Sequence, residues 1–315
     1  MAIKGEITFP GDKSISHRAL MIAALAEGES RISNLSTGVD VQSTRKCLEA
    51  CGIKIRNDRN DVIVKGRKFS DPIEPLDCGN SGTTTRLLLG LMAGQGINAT
   101  FVGDKSLSAR PMNRILEPLS QMGLKYESHD GKLPITIQKS DLNGIHYESP
   151  IASAQVKSSI LLAGLGASGE TSVKEPILSR DHTEKMIYGL GVNILINGLT
   201  ATVSSISSPF SSFQFSIPGD PSTAAFFAAS AALVPNSEIV LNQVLTNPTR
   251  IGFFATLKKM GVGVEFQDQW EEAGEQIGNL KIFYQTLNST CLLYTSPSPR
   301  DQRGSGIAGC GWKKK

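Results

Sequence analysis

Cationic side chains recur in this sequence at turns that lead into helical stretches, where they are well placed to bind an anion. In GDKSISHRAL, residues 11–20, Lys13 and Ser14 stand at the turn, and Arg18 follows Ser14 by one helical turn. Positions four apart share a helix face, and a helix N-terminus adds bare N–H groups with partial positive charge. The motif predicts an anion site, although a capped helix with a solvated basic face fits the same spacing.

Two further turns each add an arginine. GNSGTTTR, residues 79–86, has Gly82 for close backbone approach and Arg86 one turn later. It is not a P-loop, because the Lys-Ser/Thr ending is absent. In GDKSLSARP, residues 103–111, Arg110 directly precedes a proline, which holds it extended and fixes its direction. Taken alone, each motif also fits an ordinary turn with a solvated arginine.

Three more turns contribute polar side chains. From ASAQVKSS, LSRDHTEKM and GDPSTAA come Ser153, Gln155, Lys157, Arg180 and Asp220. The adjacent Asp181 and His182 do not predict a catalytic triad, since neighbouring residues point apart and the sequence has no nucleophile elbow. The cations of all these turns together predict a substrate with more than one phosphate or carboxylate. They are Lys13, Arg18, Arg86, Arg110 and Arg180.

The elements that must position these groups form a pattern that recurs four times at a period of roughly 70 residues. Each copy opens with a polar turn and an apolar helical run, and it closes with a helix end, a glycine and a short strand. The predicted order within a copy is helix, strand, helix, strand, strand. N-caps are predicted at Ser14, Ser81 or Thr83, Ser153 and Ser222. Asp220 is also predicted as an N-cap, and it is a candidate to meet a ligand hydroxyl.

The first copy illustrates the predicted elements. Its helices are predicted at 14–27 and 39–50, and its strands at 30–35, 53–57 and 61–65. One copy is too small to bury its own apolar faces, so the four must pack together. If they pack with symmetry, several helix N-termini face one place.

Length and composition predict a soluble protein of one or two domains, with 315 residues, 40% of them hydrophobic and 19% charged. A net charge of +3, without a basic run interleaved with aromatics, does not indicate nucleic-acid binding. No apolar run reaches about 18 residues and no signal-peptide core is present, so neither a membrane span nor export is predicted. The five scattered cysteines predict buried thiols in the cytosol rather than a metal site.

The stretch 287–315 breaks the repeat. It reads LNSTCLLYTSPSPRDQRGSGIAGCGWKKK, with neither a helical period nor strand alternation. A natural linker fits this composition, but an unrelated sequence joined to a shortened protein fits better. On that interpretation the natural fold stops near Gln285, and we expect 286–315 to be a non-native tail.

Together the motifs resemble one enzyme family. GDKSISHRA, LDCGNSGTTTR, SAQVKSSILLAGL and EPILSRDHTEKM are similar to motifs of the 5-enolpyruvylshikimate-3-phosphate synthases (3-phosphoshikimate 1-carboxyvinyltransferases) of the class II type. The resemblance runs from residue 1 to about 285. The UDP-N-acetylglucosamine enolpyruvyl transferases share the fold, but their loop carries a Cys where this chain has DKSLSAR at 104–110.

The resemblance implies an α/β fold, a two-domain inside-out α/β barrel built from repeated βαββαβ-type units. Residues 13–218 would form a complete first domain of three repeats. Residues 1–12 and 219–285 would form part of a second domain, left incomplete. The active site would lie in the cleft between the domains, which closes on substrate.

The resemblance also implies the reaction and its residues. The enolpyruvyl group of phosphoenolpyruvate passes to the 5-hydroxyl of shikimate 3-phosphate and phosphate is released, a step of the shikimate pathway of aromatic amino acid biosynthesis. Lys13 would contact both substrates and take part in proton transfer. The residues implied for shikimate 3-phosphate are Lys13, Ser14, Arg18, Ser153, Ala154, Gln155 and Arg180. Those implied for phosphoenolpyruvate are Lys13, Gly82, Arg110 and Gln155.

No metal or organic cofactor is implied, and neither nucleic acid nor a membrane is an expected partner. A cytoplasmic monomer is expected, with glyphosate as an inhibitor because Gly82 leaves the pocket uncrowded. The family's catalytic aspartate, a lysine and two arginines lie beyond its fourth repeat, and nothing in 287–315 matches them. The chain as written is therefore expected to be nearly inactive. The alternative is a non-catalytic fragment that binds shikimate 3-phosphate weakly.

Overall fold

The computed structural model of the chain describes residues 2–206 and 210–289. Within them, four successive segments fold in the order βαβαββ, to which the second adds a one-turn helix, and we call these the first to fourth units. This order differs from the expected βαββαβ. It also adds a short opening strand that the sequence pattern did not predict.

The units have the following bounds. The first contains β1 (Lys4–Thr8), α1 (Lys13–Leu25), β2 (Gly28–Ser33), α2 (Val39–Ala50), β3 (Lys54–Asp58) and β4 (Asp61–Gly66). The second contains β5 (Leu76–Asp77), α3 (Gly82–Gly94), β6 (Ala99–Val102), α4 (Lys105–Ser108), α5 (Asn113–Gln121), β7 (Lys125–His129) and β8 (Lys132–Gln138). The third contains β9 (His146–Glu148), α6 (Ala154–Gly164), β10 (Glu170–Lys174), α7 (His182–Gly189), β11 (Ile194–Asn197) and β12 (Thr200–Ser204). The fourth contains β13 (Gln214–Ser216), α8 (Pro221–Leu233), β14 (Glu238–Leu245), α9 (Gly252–Lys259), β15 (Gly263–Glu272) and β16 (Glu275–Phe283).

Each unit supplies most of one four-stranded sheet, but the first and fourth units exchange their opening strands. The second sheet has the order β5-β6-β8-β7 and the third β11-β12-β10-β9. In the first sheet the edge strand is β13, which runs parallel to β2 and pairs Gln214 with Arg31. In the fourth sheet the edge strand is β1, which runs parallel to β14 and pairs Lys4 with Glu238. We call the first three sheets and their helices, residues 13–216, the three-sheet body.

Six helices fill the three-sheet body, which also contains the one-turn helix α4. The inner helices are α1, α3 and α6; α2 packs against α1 and α3, α5 against α3 and α6, and α7 against α6 and α1. The inner helices are buried on nearly every side, as expected of helices surrounded by protein, although each also carries buried polar residues. At Gly90 in α3, an added Cβ would lie 2.0 Å from the backbone oxygen of Ser159 in α6. Glycine is therefore required where these two helices come closest.

The chain passes between the three-sheet body and the fourth sheet along two adjacent segments. The Asp12 N–H donates to the Pro218 carbonyl at 2.8 Å, and the Asp220 N–H donates to the Pro10 carbonyl at 3.2 Å. These crossings fall at the predicted boundaries of 13–218. The division into two domains stays a prediction, which the strand exchange supports.

In the fourth unit, α8 packs on its sheet with one face only. Its small residues Ala224, Ala228 and Ala231 are buried, while Phe226 is 77% exposed and Leu233 is 67% exposed. No helix among the described residues combines the length and apolarity needed to span a membrane.

The structure confirms three predicted N-caps and corrects two. The side chains of Ser81 and Ser153 cap α3 and α6. The prediction of Ser14 was wrong, because α1 begins at Lys13 and the Asp12 carboxylate accepts from the Ile15 N–H. The prediction of Ser222 was wrong as well, whereas that of Asp220 is confirmed: Pro221 occupies the first turn, and the Asp220 carboxylate accepts from the Ser222 N–H.

Cys47, Cys51 and Cys78 are buried free thiols, as predicted, whereas Cys291 and Cys310 lie outside the described residues. The expected non-native tail lies outside them from residue 290 onward.

Candidate active site

Hydrogen bonds join the N-terminal ends of the three inner helices. Lys13 Nζ in α1 lies 3.1 Å from Asp40 Oδ2 in α2, and the Asp40 carbonyl accepts from Thr84 Oγ1 in α3 at 3.1 Å. From α6, Gln155 Nε2 donates to Thr83 Oγ1 at 3.0 Å. The symmetry expected from the repeats therefore brings these helix N-termini together, where their N–H groups favour an anion.

Arg18 is buried between α1, α6 and α7 among neutral partners. Its Nε donates to Thr183 Oγ1 and its Nη2 to Ser158 Oγ, both at 2.7 Å, and its Nη1 donates to the Ser14 carbonyl at 2.9 Å. Burial lowers the pKa of the Arg18 guanidinium to about 10. A charged group in such a place is usually paired, and none of these contacts neutralises it.

Arg180 lies close to the same region, in the loop before α7, and is exposed. Partial burial and then the charge of Arg250 lower the pKa of its guanidinium, while Asp12 and Asp220 act in the opposite direction. Arg18 and Arg180 thus lie on one side of the place where the inner-helix N-termini meet. An anionic ligand bound there would neutralise their positive charge.

A second cationic group surrounds Gly82. A Cβ added at Gly82 would lie 2.7 Å from Arg86 Nη1 and 3.5 Å from Arg110 Nη1. Arg86 Nη1 also donates to Gln155 Oε1 at 2.8 Å. Burial, followed by the charges of Arg110 and Arg114, lowers the pKa of Arg86. The structure therefore brings together three of the four residues expected at one anion site, Gly82, Arg110 and Gln155, and adds Arg86.

The direction of Arg110 is set by its loop. Its Nη2 donates to Asn80 Oδ1 at 2.6 Å and to Ser106 Oγ at 3.3 Å. Across residues 2–206 and 210–289, no carboxylate oxygen lies within 4.0 Å of a side-chain nitrogen of Arg18, Arg86, Arg110 or Arg180. Two uncompensated cationic groups beside one another suit a pair of anionic ligands, or one ligand with two anionic groups.

The start of α6 presents Ser153 and Ala154 at the rim of the same region, where both are partly buried. The Ser153 N–H donates to Glu175 Oε1 at 3.0 Å, which fixes the turn before the helix. Lys157, which belongs to the same motif, is not available to a ligand. Its Nζ is buried and lies 2.5 Å from Glu175 Oε2 and 2.7 Å from Glu184 Oε1.

Sequence reasoning missed Arg250, which ties the fourth unit to this region. Its Nη1 lies 2.8 Å from Asp12 Oδ2 and its Nη2 lies 3.2 Å from Asp220 Oδ1. Arg250 therefore bridges the two residues that cap α1 and α8. Its motif, TNPTRIG, shows no charge spacing that would have revealed this role.

Behind Arg250, a buried network links the third and fourth units. His182 Nδ1 lies 2.7 Å from Glu275 Oε1, and Asn247 Nδ2 donates to Glu275 Oε2 at 3.0 Å and to Asp181 Oδ1 at 2.8 Å. Burial acts to raise the pKa of Glu275, but the hydrogen bond and charge of His182, together with Asn247 and Lys185, outweigh it, and the pKa lies below its usual value. His182 is thus structural, in agreement with the rejection of a triad.

Comparison with known proteins gives a consistent result. The family described as EPSP synthase (3-phosphoshikimate 1-carboxyvinyltransferase) matches residues 1–288. A relative from Thermodesulfovibrio yellowstonii, named 3-phosphoshikimate 1-carboxyvinyltransferase, is 50% identical over 286 residues, which are 88% of this chain and 66% of that protein. A relative of the same name from Desulfitobacterium hafniense (strain DSM 10664 / DCB-2) is 46% identical over 285 residues, 89% of this chain and 65% of that protein.

Solved structures agree with these relatives. The 2.37 Å structure of an EPSP synthase from Acinetobacter baumannii superposes with a TM-score of 0.86 at 38% identity, and the match covers 92% of this chain and 66% of that one. The α/β fold expected from the resemblance is therefore confirmed. The chain spans just under two thirds of the length of the relatives described above.

Proposed function

Because this chain belongs to the EPSP synthase (3-phosphoshikimate 1-carboxyvinyltransferase) family, we propose that it transfers the enolpyruvyl group of phosphoenolpyruvate to the 5-hydroxyl of shikimate 3-phosphate. The hydroxyl oxygen bonds to C2 of phosphoenolpyruvate as a proton adds to C3. The C2–O bond to phosphate then breaks, and C3 loses a proton to restore the double bond. The observation that carries this proposal is the pair of cationic groups at the inner-helix N-termini, which suits two anionic substrates.

Shikimate 3-phosphate is assigned to the side that contains Arg18 and Arg180. Its phosphate would accept from these guanidinium groups, and its ring hydroxyls would meet Ser14, Ser153 and Gln155. Support comes from the burial of Arg18 among neutral hydroxyls, which leaves a full charge for the ligand. A charge-assisted hydrogen bond of this kind is about twice as strong as a neutral one.

Phosphoenolpyruvate is assigned to the side that contains Gly82 and Arg110. The absence of a side chain at Gly82 allows the substrate to approach the backbone, while Arg110 and Gln155 bind its anionic groups. Lys13, at the start of α1, is assigned to both substrates and to proton transfer. Its ion pair with Asp40 holds the ammonium at this position.

The remaining expectations are proposals on the same basis. Glyphosate would compete with phosphoenolpyruvate, since Gly82 leaves its side of the site open. The reaction needs no metal or organic cofactor, and the chain would act as a cytoplasmic monomer.

A second candidate function is binding of shikimate 3-phosphate without transfer. It is favoured by one observation: every residue assigned to that substrate lies within the three-sheet body, residues 13–216. Binding could then occur even where turnover does not.

The test is a calorimetric titration of the 315-residue chain with shikimate 3-phosphate, followed by a phosphate-release assay with both substrates. The unaltered chain is expected to bind. Arg18→Met is expected to weaken binding about 100-fold through loss of a buried charged contact. Arg56→Met, which removes an exposed arginine paired with Glu29, is the control and should bind normally.

The outcomes separate the two candidates. Phosphate release that depends on both substrates supports transfer, whereas binding without release supports the second candidate. Absence of binding by the unaltered chain overturns both.

A further inference from the structure

A single buried carboxylate holds two loops of the third unit. Glu175 directly follows β10, and its side chain is only 1% exposed. Its Oε1 accepts from the Ser153 N–H at 3.0 Å, and its Oε2 accepts from the Ser179 N–H at 3.3 Å. These two N–H groups belong to segments more than twenty residues apart in the chain.

The two loops carry groups assigned to the same substrate. Ser153 caps α6 and precedes Ala154 and Gln155, while Ser179 directly precedes Arg180. The carboxylate therefore sets the separation between the α6 N-terminus and the arginine. A displacement of about 1 Å between such groups is enough to weaken recognition of a rigid ligand severely.

The charge of Glu175 is balanced by a buried lysine. Lys157 Nζ lies 2.5 Å from Glu175 Oε2, the oxygen that also accepts from the Ser179 N–H, and 2.7 Å from Glu184 Oε1. Among the described residues Glu184 makes no hydrogen bond to either loop, and its Oε2 has no hydrogen-bond partner. The two carboxylates thus share one lysine but differ in their contact with the loops.

We propose that Glu175 is a positioning residue for shikimate 3-phosphate, which it affects by holding the Ser153 and Ser179 amides and hence Arg180 in place. This inference rests on the proposed function. Glu175 itself does not contact the substrate.

The matched pair Glu175→Gln and Glu184→Gln tests this inference. Each variant removes one carboxylate from Lys157 while keeping the shape of the side chain. In Glu175→Gln the new NH₂ group faces at least one of the donors that the carboxylate accepted, so a loop loses its acceptor. In Glu184→Gln both loop amides keep theirs.

Two measurements are made on the full chain. Without ligand, amide hydrogen exchange at Ser153, at Ser179 or at both is expected to quicken at least tenfold in Glu175→Gln and to stay near that of the unaltered chain at both amides in Glu184→Gln. In calorimetry, the affinity for shikimate 3-phosphate is expected to fall at least tenfold in Glu175→Gln and less than threefold in Glu184→Gln. If either variant does not fold, the comparison is repeated with Lys157→Met added to both, so that no buried ammonium loses a partner.

Equal losses of affinity in the two variants, or normal binding by Glu175→Gln, would overturn the proposal. If the unaltered chain does not bind shikimate 3-phosphate, the proposed function fails and the role toward that ligand fails with it. The exchange measurement then decides the structural part alone: faster exchange confined to Glu175→Gln supports it, and unchanged exchange overturns it.

Discussion

The inner helix α3 and its counterpart α8 have similar sequences and different surroundings. Both are thirteen residues long, apolar and rich in small residues, and both begin at a capped turn. In α3, the residues Leu87, Leu88 and Leu89 are fully buried. In α8, the residue at the position of Leu87 is Phe226, which is 77% exposed.

The burial of an apolar helix in this fold therefore depends on the units packed around it rather than on the sequence of the helix itself. α3 lies between α6, α2 and α5, which cover all its sides. α8 packs on the fourth sheet and on α9, and its other side lacks the counterparts of these helices among the described residues. The same apolar pattern is therefore a core in one unit and a surface in another, as expected of repeats that bury their faces only by stacking.

The strongest test of this comparison is a pair of alanine substitutions at the sixth position of each helix. Leu87→Ala is expected to lower the free energy of unfolding by about 3 kcal/mol, because it leaves a cavity in a packed core. Phe226→Ala is expected to change it by less than about 0.5 kcal/mol, because the ring is already in water. Urea unfolding at neutral pH measures both, and similar losses in the two variants would break the comparison.

A second test uses a histidine that the inner helices bury. Burial, followed by the charge of Arg18, lowers the pKa of His17 from 6.5 to about 3. Below pH 6.5 the unfolded chain therefore binds a proton that the folded chain does not, so stability is highest above this pH and falls as the pH drops toward 3. The contribution of one such group is about 1.4 kcal/mol per pH unit.

The measurement is the unfolding free energy between pH 7 and pH 5 for the unaltered chain and for His17→Asn. As the pH falls, the unfolding free energy of His17→Asn should decrease less steeply than that of the unaltered chain, by a slope that corresponds to about one proton. The variant should keep the hydrogen bond to Thr44. His146→Asn, which replaces an exposed histidine on β9, should leave the slope unchanged. Equal slopes for the unaltered chain and His17→Asn would contradict the expectation.

The smallest effect is expected from two glycines, one in each region. Gly82→Ala places a methyl group 2.7 Å from Arg86 Nη1, the free end of a flexible side chain that can move. Stability should change by less than about 1 kcal/mol. Glyphosate binding to the complex with shikimate 3-phosphate should weaken about tenfold, because the displaced Arg86 loses its hydrogen bond to Gln155.

Gly252 in α9 is the control, because a Cβ added there would have no neighbour within 4 Å. Gly252→Ala should therefore change neither the binding of glyphosate nor that of shikimate 3-phosphate. Equal glyphosate affinities in the two variants would count against this role of Arg86.

Much of the fold could be predicted because the helices and inner strands carry strong local patterns. The predicted bounds of α2, 39–50, agree with the structure, since its amphipathic period is unbroken. The opening strands were missed because they are short and acquire their role from distant partners: β5 has two residues and β13 has three. For the fourth copy the sequence predicted one closing strand, at 262–266. The structure extends β15 to Glu272 and adds β16, because these long hairpin strands carry exposed polar residues.

The sequence predicted those residues of the candidate site that lie in turns leading into helices. It did not predict those that lie in other loops. Arg18, Arg86 and Arg110 sit in such openings, and the structure gives each of them neutral hydrogen-bond partners. Arg250 and Glu175 were missed, since an arginine in a loop and a glutamate after a strand are ordinary residues on their own. Their roles depend on contacts formed only when separate units meet.

The exchange of opening strands constrains when the protein can fold during its synthesis. β1 is made first, yet its pairing partner β14 begins at Glu238. The first sheet likewise waits for β13, which begins at Gln214. A ribosome adds about 5–20 residues per second, so for tens of seconds at the slower rate β1 has an unpaired edge. A chaperone that shields extended segments would find its target in this strand of the nascent chain.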